Sequence, residues 1–241
     1  MSGHSKWSTI KRKKGAADQK RGKIFTRCIH EITTAVREGG GGDPNSNSRL
    51  RLAMDKARSA NMPSENIERA IKRATGEIKG EEQAELTYEG YGPGGIAIIV
   101  QVLTNNKNRT VGEIRHAFSR AGGTLGENGC VNWMFSKKGI IIAPKDAINE
   151  EVLMELALDN GASDVTDQGE VWEIICEPAD FSSLKTAVEQ KVKLEAAEIS
   201  MTPMSYVKVE GKEQESLLKL IDALDDLDDV IEVSSNADFS E

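Results

Sequence analysis

The chain has 241 residues, of which 29% are charged and 38% hydrophobic, the balance of a globular protein of two or three small domains and not of a disordered or membrane-spanning chain. No apolar run approaches the roughly 20 residues that cross a bilayer, the N-terminus lacks the apolar stretch of a signal peptide, and Cys28, Cys130 and Cys176 are too few and scattered for a disulfide framework, so a cytoplasmic protein is expected. The formal net charge of −8 hides a split: residues 1–80 carry a net of +10 and residues 81–241 a net of −18, which points to a module that binds polyanions or, alternatively, to a basic segment packed against its own acidic half.

Beyond Met1, residues 1–20 hold only Trp7 and Ile10 as large apolar side chains and include the run Lys11-Arg12-Lys13-Lys14. Such a stretch cannot bury enough surface to fold alone and is expected to order only against a partner. A helical period then places Phe25, Cys28, Ile29, Ile32 and Val36 on one face, ending at Gly39. A second helix is predicted over 48–60. A third has Ser64 as its N-cap and Gly76 as its stop, with Arg69, Lys72 and Arg73 on the outer face. Residues 1–79 thus read as a basic three-helix domain.

Beyond a linker around Lys79 to Glu85 the pattern becomes α/β. Residues 95–103 read as a buried strand, followed by the loop Asn105-Asn106-Lys107-Asn108-Arg109 and a helix whose capping box is Thr110 to Glu113. Residues 131–135 and 139–143 both read as strands. The stretch 134–205 reads β-α-β-β-α-β, a ferredoxin-like unit, while the elements before and after it are each incomplete. The expected fold is therefore α+β and multidomain: the helical domain, then two ferredoxin-like α/β domains, one inserted in the other. The boundaries expected are 1–79, 80–133 plus 206–241, and 134–205, with tandem domains as the alternative.

Chemistry-bearing motifs are scarce. Gly90-Tyr91-Gly92-Pro93-Gly94-Gly95 matches G-x-G-x-x-G, but a strand follows it and Pro93 removes an N–H that a phosphate would need, so it reads as a turn. Cys28 and His30 are too few for a structural zinc site. Asp222, Asp225, Asp226, Asp228 and Asp229 lack the spacing of a calcium loop and read as a solvated helix face. No serine, cysteine or lysine sits in an activated-nucleophile context. We expect no enzyme, metal, cofactor, small-molecule substrate or membrane partner.

What remains is nucleic acid. Lys6, Lys11, Arg12, Lys13, Lys14, Lys20, Arg21, Lys23 and Arg27 are candidate phosphate contacts, joined by Arg69, Lys72 and Arg73 of the third helix. Trp7 fits two roles, stacking on an unpaired base or anchoring the arm to the helical domain. The loop residues Asn105, Asn106, Lys107, Asn108 and Arg109 suit a second contact, or else a turn whose amides satisfy local backbone groups.

The stretches MSGHSKWSTIKRKKGAADQKRGKIFTR, REGGGGDPNSNSRLRLAMDKARSANMPSENIERAIKRATGE and YEGYGPGGIAIIVQVLTNNKNRTVGEIRHAFSRAGGTLGENGCVNWMF, with the tail around Leu220 to Val233, closely resemble the YebC/PmpR family. That family includes the mitochondrial translational activator of cytochrome c oxidase subunit I. The resemblance implies a non-enzymatic protein with a helical domain and two α/β domains around a cleft. It also implies two functional descriptions: a DNA-binding transcriptional regulator, and a ribosome-associated factor that helps translation through difficult stretches such as consecutive prolines.

Overall fold

The computed structural model describes residues 21–78 and 84–239, with side chains from Ile24 onward. Three helices come first: α1 (Arg21–Glu38), α2 (Ser48–Ser59) and α3 (Ser64–Ala74). Each turns one apolar stripe inward, so Ile32, Leu50 and Ile67 meet in a core that also buries Cys28, Ala35 and Ala57. The end of α1 and the start of α2 are joined through buried Asn47. Its Oδ1 caps α2 by accepting from Leu50 N at 2.9 Å, and its Nδ2 donates to Ala35 O and Gly41 O at 2.8 Å each. Ser64 proves to be the first helical residue of α3; Pro63 occupies the cap position and supplies no side-chain bond.

The remainder is α+β. Strands β1 (Ala84–Tyr91) and β2 (Ala97–Thr104) form an antiparallel hairpin closed by a 3-10 turn at Pro93–Gly95. Helix α4 (Lys107–Arg120) and the short strand β3 (Thr124–Leu125) follow. The next unit comprises β4 (Phe135–Pro144), α5 (Glu150–Asp159), β5 (Ala162–Asp167), β6 (Val171–Cys176), α6 (Phe181–Glu189) and β7 (Ala196–Pro203). Its sheet order is β5-β6-β4-β7, all antiparallel, the arrangement of a ferredoxin-like unit. The chain closes with β8 (Val207–Lys208), α7 (Gly211–Asp225), β9 (Val230–Ser235) and β10 (Ala237–Asp238).

Strand β9 returns to pair with β2, so the other sheet has the order β3-β1-β2-β9 and is assembled from both sides of the intervening unit. On one face of β2, Ile98, Val100 and Val102 pack against Ile114 and Phe118 of α4 and Leu217, Leu220 and Leu224 of α7. On the opposite face, Ala97 and Ile99 pack against Val131 and Phe135. A central strand buried on both faces reads as a continuous apolar run, which is why 96–103 carries little alternation.

Two further elements differ from expectation. Residues 132–134 form a 3-10 turn, and the chain becomes extended only at Phe135, from where a single strand runs to Pro144. Helix α4 begins at Lys107 instead of Thr110, because Asn106 caps it by accepting from Arg109 N at 3.1 Å. Thr110 is fully buried inside the first turn.

Candidate nucleic-acid interface

Helix α3 presents Arg69, Lys72 and Arg73 to solvent on the face opposite Ile67 and Ala70. None of the three pairs with a carboxylate among the described residues. The helix is polarised along its length, with Glu65 in the first turn and the cations in the second half. Cations near a C-terminus complement the helix dipole, and they concentrate the positive field at the end of α3 nearest residue 78.

Lys6, Trp7, Lys11, Arg12, Lys13, Lys14 and Lys20 lie outside the described residues, and Arg21 and Lys23 are described only in their backbone. Arg27 has a different setting from the one its charge suggested. It is half-buried, donates from Nε to Ile231 O at 2.7 Å and lies 3.5 Å from Asp225. Helix α1 is thereby tied to β9 and to the end of α7. Beside it, His30 approaches Glu85 at 3.8 Å. Burial lowers the His30 pKa and Lys137 acts in the same direction, against the opposing pull of Glu85, Glu31 and Glu232.

The loop 105–109 divides into committed and open side chains. Asn106 caps α4, and Arg109 donates to both oxygens of Asp229, at 3.1 and 2.9 Å. Asp229 also accepts from Thr104 Oγ1 at 3.0 Å and Thr110 Oγ1 at 2.6 Å. These bonds outweigh its desolvation and hold the carboxyl below its ordinary pKa. Lys107 and Asn108 face solvent. The aspartate cluster is accordingly not one solvated face: Asp225 and Asp229 are drawn into ion pairs with residues far away in sequence, while Asp222, Asp226 and Asp228 are exposed.

A second exposed feature escaped the sequence reading. The segment 126–134, after β3, is clamped to β1 from both polarities. Glu89, only 5% exposed, accepts from Gly129 N through Oε1 and from Val131 N and Asn132 N through Oε2, at 2.8 Å each. Two residues on, the Tyr91 hydroxyl donates to Cys130 O at 3.1 Å, and Trp133 Nε1 donates to the same oxygen at 3.1 Å. Trp133 is 68% exposed and Tyr91 39%. Gly126 belongs to this fit, since a Cβ there would lie 2.5 Å from Cys130 Sγ. The pattern Glu-x-aromatic on one strand, followed by a glycine-punctuated loop with a tryptophan, was the available signal. Reading 131–135 as a strand hid it.

A sequence model described as the TACO1/YebC protein N-terminal domain matches residues 5–77, and one described as the TACO1/YebC second and third domain matches residues 83–237. The chain belongs to the TACO1/YebC family. A protein of Desulforapulum autotrophicum named a probable transcriptional regulatory protein is 56% identical over 240 residues, covering 99% of this chain and 97% of that one. One of the same name from Geobacter sulfurreducens is 54% identical over 241 residues, covering 100% and 97%. The crystal structure of a conserved hypothetical protein from Aquifex aeolicus has the same fold, with a TM-score of 0.80, 44% identity and 93% of each chain covered. In TACO1/YebC terms, the exposed cations of α3 lie in the N-terminal domain, and the clamped aromatic loop lies within the second and third domain match.

Proposed function

We propose that this TACO1/YebC protein is a non-enzymatic regulator of gene expression that binds nucleic acid through its basic N-terminal domain, as a DNA-binding transcriptional regulator. The observation that carries the reading is the outer face of α3, where Arg69, Lys72 and Arg73 stand exposed without carboxylate partners among the described residues, in a segment whose net charge is +10. Its relatives' name supports the transcriptional form. Cations in the second half of α3, behind an acidic first turn, suit phosphate contacts better than base readout from a helix N-terminus. On this reading Lys6, Lys11, Arg12, Lys13, Lys14, Lys20, Arg21 and Lys23 extend the phosphate track, Trp7 accompanies it, and Lys107 and Asn108 offer a second contact.

The thiols argue against a cysteine nucleophile, one part of the non-enzymatic reading. Burial, reinforced by Glu31, Glu89 and Asp180 respectively, raises the pKa of Cys28 and Cys130 and pushes Cys176 up to about 11. Protonated thiols are poor nucleophiles. The working division is 1–79, 80–133 plus 206–241, and 134–205. A second reading, a factor acting on ribosomal RNA to relieve stalled translation, is favoured by one observation: the exposed Tyr91–Trp133 pair suits unpaired bases, which RNA loops offer and duplex DNA does not.

The test is fluorescence anisotropy of the full chain with duplex DNA and with structured RNA over a salt series. In Arg69→Ala/Lys72→Ala/Arg73→Ala, and separately in the alanine variant of Lys11 to Lys14, each lost phosphate contact should flatten the log–log slope by about 0.7–0.9. Unchanged slopes in both variants would remove the basis of the proposal. Tighter binding to duplex DNA supports the transcriptional form, and co-sedimentation with ribosomes in place of duplex binding supports the second reading.

A further inference from the structure

The Tyr91–Trp133 platform has three properties that set it apart from ordinary surface apolar residues. First, it is held rigidly by buried charge. Glu89 is placed in the protein interior to receive three backbone N–H groups, and those bonds outweigh the burial that would raise its pKa, leaving the carboxyl below its ordinary value. A fold that invests an almost wholly buried carboxylate in one loop fixes that loop's shape. Second, both rings are pinned by their polar edges to one acceptor, Cys130 O. The indole N–H and the phenol O–H each already have an acceptor, so the rings themselves are the main surface left for a ligand to cover. Third, the indole projects beyond its surroundings at 68% exposure. A flat ring standing clear of its neighbours offers a face to a planar ligand, whereas an aliphatic side chain of a protein partner needs a pocket around it.

We infer that Trp133, with Tyr91 beside it, is a stacking site for an unpaired nucleobase. The inference rests on the nucleic-acid reading above and assigns to Trp133, within the exposed pair, the base contact that the phosphate track does not supply. Phosphate contacts from α3 would supply affinity regardless of base pairing, while a stacked indole discriminates single-stranded or looped nucleic acid from a continuous duplex, because a paired base has no free face. Preorganisation matters to the strength of the contact: a tryptophan locked at its edge loses little rotamer freedom when a base covers it. Every base has a π-face, so the site is expected to tolerate sequence.

The test is anisotropy titration of the full chain with a labelled single-stranded RNA, the single-stranded DNA of the same sequence, and the corresponding duplex. Trp133→Ala should weaken binding to the single strands roughly 5- to 150-fold, the range spanned by one stacked base, and leave duplex binding within about twofold. Trp133→Phe should recover part of the loss, since a smaller ring still stacks but lacks the N–H that pins the indole to Cys130 O. The exposure of Trp133 makes unfolding of the variants an unimportant outcome, and thermal melting checks it. Wild-type protein that binds no nucleic acid overturns both this inference and the proposed function. Wild-type protein that binds while Trp133→Ala binds equally well overturns the stacking site alone. An equal loss on single strand and duplex also overturns it, because phosphate contact or loop structure would then explain the effect. If Trp133→Ala instead loses a protein partner in pull-downs, with nucleic-acid binding intact, the platform is a protein contact and the inference falls.

Discussion

Replacing Glu89 by Gln tests the origin of the loop's rigidity. Glutamine keeps the shape of the side chain but has one acceptor oxygen. Placed where Oε2 sits, that oxygen can keep the bonds from Val131 and Asn132, and the amide nitrogen then confronts Gly129 N–H, which loses its 2.8 Å acceptor. One charge-assisted bond, worth about 1.5–3 kcal/mol, disappears, and two others fall to the roughly 0.5–1.5 kcal/mol of neutral bonds. Allowing for non-additivity, the expected loss is about 2–4 kcal/mol, seen as a lower urea midpoint. Amide exchange at Gly129, Val131 and Asn132 should accelerate more than exchange in the α1–α3 core. The pH dependence supplies an independent check. The folded pKa of Glu89 lies below the unfolded value of about 4.3, so the unfolded chain binds the extra proton. The stabilisation is complete above pH about 4.3 and is lost as pH falls from there through the folded value. Glu89→Gln should lack that component, while Glu127→Gln, at an exposed position in the same loop, should retain it. A Glu89→Gln protein with unchanged urea midpoint and unchanged acid sensitivity would refute the reasoning.

Arg27→Ala should cost about 1.5–3 kcal/mol through loss of the charged donor to Ile231 O and the ion pair with Asp225, yet leave the salt slope of nucleic-acid binding unchanged; a flatter slope would return Arg27 to the phosphate track. His30 is held neutral by burial with a folded pKa below the unfolded value of about 6.5, so its contribution is complete above pH about 6.5 and is lost as pH falls from there through the folded value. His30→Gln should remove stability loss in that window without touching the more acidic Glu89 step, a separation that urea midpoints measured from pH 7 to pH 3 would reveal or disprove.

Burying both faces of β2 and joining it to β9 gives α7 its role. Its apolar stripe completes the same core as α4, with Leu217, Leu220 and Leu224 against Ile98 and Val100. A segment near the C-terminus therefore stabilises a sheet begun before the β-α-β-β-α-β unit, and the tie from Arg27 to Ile231 couples that sheet to the first helix. The platform loop leaves β3 at the edge of this sheet and enters β4 of the other.

The amino-acid sequence by itself determined what depends on neighbours within a few residues. Apolar spacing placed α1, α2 and α3, and the same spacing put Arg69, Lys72 and Arg73 on the outer face where the structure has them. The strand and helix order of 134–205 carried the ferredoxin-like topology, because crossovers in such a unit leave few alternatives. Long-range partners were decided only in the tertiary structure. Asp229 looked like one more solvated carboxylate until Arg109, 120 residues earlier, and the hydroxyls of Thr104 and Thr110 were brought to it. Arg27 looked like a phosphate ligand until a carbonyl 204 residues away claimed it. Thr110 looked like a cap until its burial against Asp229 moved the helix start to Lys107. Residues 131–135 looked like a strand until Glu89 bent the chain into a 3-10 turn and left the Trp133 indole outside. Periodicity records which face of an element is apolar. Which charged group meets which depends on the packing of elements remote in sequence, and no local pattern encodes that.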